Sequence, residues 1–147
     1  MENSITKISD GNFQTIYELY IKYRNSAGIQ SSLSEISKYL ASELKKYGDE
    51  FFVKQINGTA VGFMQFITEQ STLSGTRYRI KAMYIDDKYQ GNGFAKQLIQ
   101  ALKNHTEKSD IIVKTRRTNK ISPSLYLSNG FIEDDEFIHF VYHPNQK

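Results

Sequence analysis

Two glycines separated by one residue lie where the sequence changes its period. The stretch reads Gln90-Gly91-Asn92-Gly93-Phe94-Ala95. It joins an apolar segment to a segment with helical spacing, and a helix N-terminus presents unpaired amide N–H groups and partial positive charge. Glycines in the preceding turn permit close approach of a ligand and unusual dihedral angles. The combination predicts a phosphate or pyrophosphate site, and a tight turn before a core helix is the alternative.

The loop lacks the signatures of two common nucleotide-binding motifs. No Gly-Lys-Ser/Thr follows the glycines, as a nucleotide-hydrolase loop requires. Lys96 stands where a dinucleotide-binding fingerprint has its third glycine. The phosphate prediction therefore rests on backbone geometry and not on either motif.

The flanking periodicities predict a strand before the loop and a helix after it. Polar and apolar residues alternate before the loop, which predicts one shared face for Tyr78, Ile80, Ala82 and Tyr84. After the loop, one helical stripe is apolar and comprises Ala95, Leu98, Ile99 and Leu102. The predicted unit is strand, glycine loop, helix.

The N-terminal half predicts two helices and a hairpin. Apolar residues at three-and-four spacing mark a helix from Phe13 to Tyr23, and Ser32 with Glu35 forms a capping box before a second one. Asn57-Gly58 is a strong type I′ turn signal. We therefore expect strands at Ser4–Ile8, Phe51–Ile56 and Thr59–Thr68.

The C-terminal part predicts a strand, a short helix and a terminal hairpin. Asp110–Thr115 is expected to run parallel to Ile80–Ile85. A short helix is expected at Ser122–Asn129. Apolar runs around four acids, Glu133–Glu136, predict the hairpin, whose tip would attract cationic molecules or merely keep the edge soluble.

Composition favours one globular domain over residues 1–147 and excludes several classes of protein. The net charge is +3 without a basic block, which argues against nucleic-acid binding. Cysteine is absent, and the three histidines show no ligand spacing with carboxylates, so we expect no metal. No signal peptide or long apolar run is present, so we expect a cytoplasmic protein without a membrane anchor.

Two motifs together resemble the GCN5-related N-acetyltransferase (GNAT) family. Gln90–Ala95 resembles the family's Gln/Arg-x-x-Gly-x-Gly/Ala motif, with a strand before it and a helix after it. The second signature is met at every spacing by Asn119, Ser122, Tyr126, Gly130 and Phe131. The resemblance covers nearly the whole chain and implies an α/β fold. Its sheet would be mixed and mostly antiparallel, with about six to seven strands, a splayed parallel pair and about four flanking helices.

The resemblance implies an N-acetyltransferase that uses acetyl-coenzyme A (acetyl-CoA) as acyl donor. The implied cofactor-binding residues are those from Gln90 to Ala95, together with Met83, Tyr84, Ile85 and Asn119. Tyr126 is the implied general acid, because a phenol is protonated at neutral pH and can donate to a thiolate. A core role for Tyr126 and a helix-capping or turn role for Asn119 are the structural alternatives.

The residues define the general base and the amine that accepts the acetyl group less closely. Lys81 and Ala82 stand where the diamine acetyltransferases of this family carry a Glu-Asp pair. Glu69, Glu136, His139 or a water chain could serve instead. The acceptor is expected to be a small-molecule or peptide amine, and the chain a monomer or homodimer. The alternative function is a catalytically silent acyl-CoA-binding module on the same fold.

Overall fold

The computed structural model describes residues 3–8, 14–47, 49–73, 75–119 and 122–145, with side chains for all of these except Asn3 and residues 43–47. The chain forms two compact units, Met1–Lys114 and Thr115–Lys147. Within the described residues, no helix is long and apolar enough to cross a membrane.

In its described residues, the first unit contains a mixed sheet and three α-helices. In chain order its elements are β1 (Asn3–Ile8), α1 (Gln14–Ser26), α2 (Leu33–Tyr47), β2 (Glu50–Ile56), β3 (Thr59–Ser71), β4 (Gly75–Ile85), α3 (Phe94–Thr106) and β5 (Asp110–Val113). The strands lie in sequence order, antiparallel except for the parallel pair β4–β5. This confirms the predicted α/β fold, although the described residues form five strands and not the expected six to seven.

Two apolar cores cover the two faces of the sheet. On one face, Phe51, Val53 and Phe63 pack with α1 and α2 residues such as Ile16 and Leu40. On the other face, Phe52 and Phe66 stack at 5.1 Å between ring centroids and contact His105 of α3. Burial of these large side chains on both faces is the main stabilising contribution to the unit.

Local signals read from the sequence occur where they were expected. Asn57 and Gly58 have φ of 51° and 81°, as the predicted type I′ turn between β2 and β3 requires. The Glu35 amide donates to Ser32 Oγ at 3.1 Å, which confirms the capping box of α2. Phe13, which was expected to begin the first helix, lies outside the described residues.

A β-bulge overturns the predicted alternation along β4. Gln65 of β3 pairs with Ala82 and Phe66 with Ile80, so Lys81 is an extra residue. The Tyr78 ring therefore faces His105 of α3, whereas Ala82 joins the core under α1. The single shared face predicted for Tyr78, Ile80, Ala82 and Tyr84 is wrong, because an extra residue shifts the side-chain period.

The sheet also differs from expectation at its ends. β3 extends through Glu69 to Ser71, residues that were expected to be loop. β5 ends at Val113 and pairs with Arg77–Ile80, so the predicted parallel pairing occurs at the first half of β4.

The second unit contains α4 (Ser122–Ser128), which confirms the short helix to within one residue. The predicted terminal hairpin is wrong, because the described residues after α4 contain no strand. The Glu136 amide donates instead to Asp134 Oδ1 at 2.9 Å. A local side-chain bond of this kind competes with strand pairing, and four neighbouring carboxylates repel one another. Apolar side chains that were expected in the hairpin are exposed, among them Ile138 and Phe140.

Candidate active site

The glycine loop forms an open backbone cradle between β4 and α3. A 3-10 turn at Asp87–Tyr89 follows β4, and Gly93 is the N-cap of α3. Gly91 and Gly93 have φ of 83° and 77°, a left-handed conformation that favours glycine. A Cβ placed on either glycine would meet no heavy atom within 4 Å, so the cradle is open on that side. An anion can therefore approach the amides that begin α3.

The polar side chains of the loop brace its backbone. Gln90 Nε2 donates to the Ile85 carbonyl and to Asp87 Oδ1, both at 3.1 Å. Asn92 Nδ2 donates to the Tyr89 carbonyl at 2.9 Å. Because these side chains satisfy carbonyl groups, they fix the turn that presents the amides of Gly91 to Ala95.

Asp86 anchors the same turn to α1 and β3. Its carboxylate accepts from the Lys88 amide at 3.3 Å and from Lys22 Nζ of α1 at 2.9 Å, and its amide donates to the Val61 carbonyl at 2.9 Å. The hydrogen bond from Lys22 lowers the pKa of Asp86, while the same bond raises the pKa of Lys22. Sequence reasoning missed this anchor, although an Asp-Asp pair directly after a strand is a turn-capping signal.

The last residues of β4 extend beyond the end of its pairing with β5. β4 pairs with β5 only as far as Ile80, whereas β4 itself continues to Ile85. On its other side, Met83 pairs with Met64 and Ile85 with Gly62 of β3. Within the described residues, no strand pairs with this edge of Met83–Ile85, and the segment ends at the glycine cradle.

Tyr84 contributes its ring to the aromatic core rather than to the open edge. The ring lies 6.2 Å from Tyr23 and 6.4 Å from Phe63, between centroids. Burial raises the pKa of the Tyr84 phenol, and the carboxylates of Asp87 and Asp86 add to the effect. The phenol therefore stays protonated at neutral pH. The predicted cofactor-binding role of Tyr84 falls to its backbone, because its ring belongs to the core.

Asn119 and Tyr126 belong to the second unit. Asn119 Oδ1 accepts from the Ser122 amide and Asn119 Nδ2 donates to Ser122 Oγ, both at 3.0 Å, as the capping or turn alternative expects. Tyr126 is buried in α4, and its ring lies 5.3 Å from that of Phe131. The motif residues Tyr126 and Phe131 thus form one packed pair, while Met83–Ile85 and Gln90–Ala95 are brought together in the first unit.

The three candidate bases are in unlike surroundings. Glu69 accepts from Arg77 Nε at 2.8 Å and from Arg79 Nε at 2.9 Å, and the Arg79 hydrogen bond is the main cause that lowers its pKa. Glu69 is therefore a poor base. Glu136 and His139 are exposed. No group of three or more His, Asp or Glu side chains suited to a metal occurs in the described part of the chain.

A buried polar chain links α1 to the bulge of β4. Tyr20 OH donates to Gln65 Oε1 at 2.8 Å, Gln65 Nε2 donates to Asp49 Oδ2, and Lys81 Nζ donates to the same Asp49 oxygen at 2.8 Å. Asp49 is fully buried. These residues are far apart in sequence, so no local pattern could have brought them together. These hydrogen bonds hold Lys81, the extra residue of the bulge, two positions before Met83.

Comparison with known proteins agrees with this architecture. The sequence profile of the acetyltransferase (GNAT) family matches residues 13–131. An uncharacterized N-acetyltransferase of Bacillus subtilis (strain 168), YhfO, is 25% identical over 129 residues, which span 85% of this chain and 87% of that protein.

Solved structures share the fold at low sequence identity. A probable acetyltransferase superposes with a TM-score of 0.87 at 21% identity, covering 98% of this chain and 99% of that one. The ribosomal-protein-alanine N-acetyltransferase of Brucella melitensis biovar Abortus 2308 superposes with a TM-score of 0.80 at 18% identity, covering 97% of this chain and 99% of that one. The aminoglycoside N-acetyltransferase AAC(6')-Iy, in complex with a CoA bisubstrate analogue, superposes with a TM-score of 0.74 at 17% identity, covering 97% of this chain and 99% of that one.

The family profile spans both motifs, and the fold places the first of them in an open cradle between a strand and a helix. The chain belongs to the GNAT family of acetyltransferases.

Proposed function

We propose that the protein transfers the acetyl group of acetyl-CoA to a primary amine of a small molecule or peptide. One observation carries the proposal: β4 leaves its parallel partner after Ile80 and runs directly into the open cradle of Gly91 and Gly93. An acyl-CoA offers matching chemistry, since its pyrophosphate suits the cradle and its amide-bearing arm suits an open strand edge.

The proposed cofactor contacts follow from this match. The amides of the cradle bind the pyrophosphate, and Met83, Tyr84 and Ile85 pair with the pantetheine arm. A backbone N–H near Tyr84 polarises the thioester carbonyl. Asn119 contributes a further polar contact to the arm. The Gln90 and Asn92 side chains act indirectly, since they hold the loop in shape.

The reaction is a direct displacement at the thioester carbonyl. The neutral amine nitrogen attacks the carbonyl carbon, an N–C bond forms, and the C–S bond breaks. The nitrogen loses a proton to water, and the Tyr126 hydroxyl gives its proton to the leaving thiolate and regains one from solvent. Water is the proposed proton acceptor, because Glu69 is held by two guanidinium groups.

The proposal is tested by amine-dependent release of thiol from acetyl-CoA. A panel of polyamines, amino acids, aminoglycosides and peptides is incubated with the protein, and the products are weighed by mass spectrometry. The expected result is thiol release that depends on the amine, with a mass increase of one acetyl group on that amine. Tight binding of acetyl-CoA without amine-dependent release across the panel would instead support a silent binding module.

A further inference from the structure

A buried lysine lies against the first turn of α3. Lys54 of β2 is only 3% exposed. Its Nζ donates to Gln97 Oε1 at 2.6 Å and lies 4.9 Å from the centroid of the Phe94 ring. Phe94 is the first residue of α3, so the ammonium group lies at the end of the helix that adjoins the glycine cradle.

The strand register places Lys54 level with the end of β4. Lys54 pairs with Gly62 of β3, and Gly62 pairs with Ile85. Two strand spacings put the Cα atoms of Lys54 and Ile85 about 10 Å apart. The three paired residues are close-packed at Gly62, because a Cβ there would lie 2.5 Å from Ile85 Cδ1. The lysine and the start of the cradle loop are therefore held in a fixed relation by the sheet.

The position is electrostatically costly for a cation. Burial lowers the pKa of Lys54, since an ammonium group loses hydration there. The N-terminal end of a helix also carries partial positive charge, which disfavours a second positive charge nearby. Two of its contacts, the Gln97 amide and the Phe94 ring, are neutral groups that each offset some of this cost. An anion at the start of α3 would relieve it further.

We propose that Lys54 is an additional binding residue for the pyrophosphate of coenzyme A, acting electrostatically from beneath the first turn of α3. The inference rests on the proposed function, because it concerns the same cradle. It adds a charged side chain to a site otherwise built from backbone amides. Lys54 does not take part in the acyl transfer itself.

The test compares Lys54→Met, which keeps the length of the side chain and removes the charge, with Lys108→Met. Lys108 is exposed beyond the far end of α3, about 20 Å from the cradle, so it controls for net charge. Calorimetry measures the affinity of each full-length protein for coenzyme A and for pantetheine, which lacks the phosphates. Thermal unfolding verifies folding, and Lys54→Gln replaces Lys54→Met if the latter does not fold.

The expected result is an affinity for coenzyme A that is lower by roughly tenfold in Lys54→Met, the effect expected for one charge acting over about 10 Å at an effective dielectric constant of about 20. Pantetheine affinity and the Lys108→Met protein should be unchanged. An unchanged affinity for coenzyme A, or an equal loss for both ligands, would overturn the role of Lys54. If the parent protein binds no coenzyme A, the proposed function fails as well.

Discussion

At the scale of single residues, Tyr126 carries the clearest chemical prediction. Its ring packs on Phe131, and Tyr126→Phe keeps that packing while removing the hydroxyl. If the hydroxyl protonates the leaving thiolate, kcat should fall by about 10²- to 10⁴-fold. Affinity for coenzyme A should change little, since the ring stays in place.

The control for this substitution is Tyr142→Phe, because Tyr142 is an exposed tyrosine of the same unit. Single-turnover kinetics with a good amine acceptor measure the chemical step in both variants. A Tyr126→Phe protein that transfers acetyl groups as fast as the Tyr142→Phe protein would show that another group supplies the proton.

Residue types predict some of the site and leave other parts hidden. Gly91, Gly93 and Tyr126 stand in motifs whose spacing is local, so the sequence alone singles them out. Lys54 carries only a weak signal, namely a charge on the same strand face as the buried Phe52. Asp49, Gln65 and Lys81 carry none, because their contact depends on how β2, β3 and β4 align.

At the scale of elements, Asp86 decides how firmly the cradle loop is held. Asp86→Ala removes both the bond to the Lys88 amide and the ion pair with Lys22. We expect the loop to lose its fixed shape, so that affinity for coenzyme A falls by several-fold, roughly the effect of about 1 kcal/mol for a lost cap. Calorimetry of coenzyme A binding measures this loss.

Lys22→Ala is the matched control, because it removes the ion pair and leaves the bond to the Lys88 amide. Many exposed ion pairs contribute nothing measurable, and the Lys22 side chain is 50% exposed. Affinity should therefore stay near that of the parent. Equal losses in the two variants would assign the effect to the ion pair and contradict the capping role of Asp86.

The elements were predictable where the signals are local. The hairpin at Asn57-Gly58, the capping box at Ser32 and the strand–loop–helix unit all follow from short patterns. The bulge at Lys81 did not, because a strict period of two gives no sign of an extra residue. The terminal hairpin was overpredicted, since its apolar runs suggested strands that the described residues after α4 do not form.

At the scale of the whole molecule, Glu69 should contribute to acid sensitivity. Hydrogen bonds from Arg79 and Arg77 hold the pKa of Glu69 below its usual 4.5 in the folded protein. A lowered folded pKa means that the contribution is complete above pH 4.5 and disappears as the pH falls through the folded value. Glu69→Gln should therefore cost about 1 kcal/mol near neutral pH and little in strong acid.

Denaturant unfolding of the parent and Glu69→Gln proteins between neutral pH and pH 3 measures this difference. Glu133→Gln is a suitable control, because Glu133 is an exposed carboxylate of the terminal segment. A difference between parent and Glu69→Gln that stays constant over the whole pH range would contradict the role of the ion pairs.

The proposed acetyl transfer depends on the glycine cradle as the site of coenzyme A binding. The most direct test is calorimetry of coenzyme A binding to Gly93→Val, which places a side chain over the amides that begin α3. Gly75→Val is the control, because Gly75 has a similar φ of 75° but lies at the opposite end of β4. Both substitutions add backbone strain of about 1–2 kcal/mol. We predict that Gly93→Val lowers the affinity by roughly tenfold or more while Gly75→Val does not. A folded Gly93→Val protein that binds coenzyme A as tightly as the parent would show that the cradle is not the coenzyme A site.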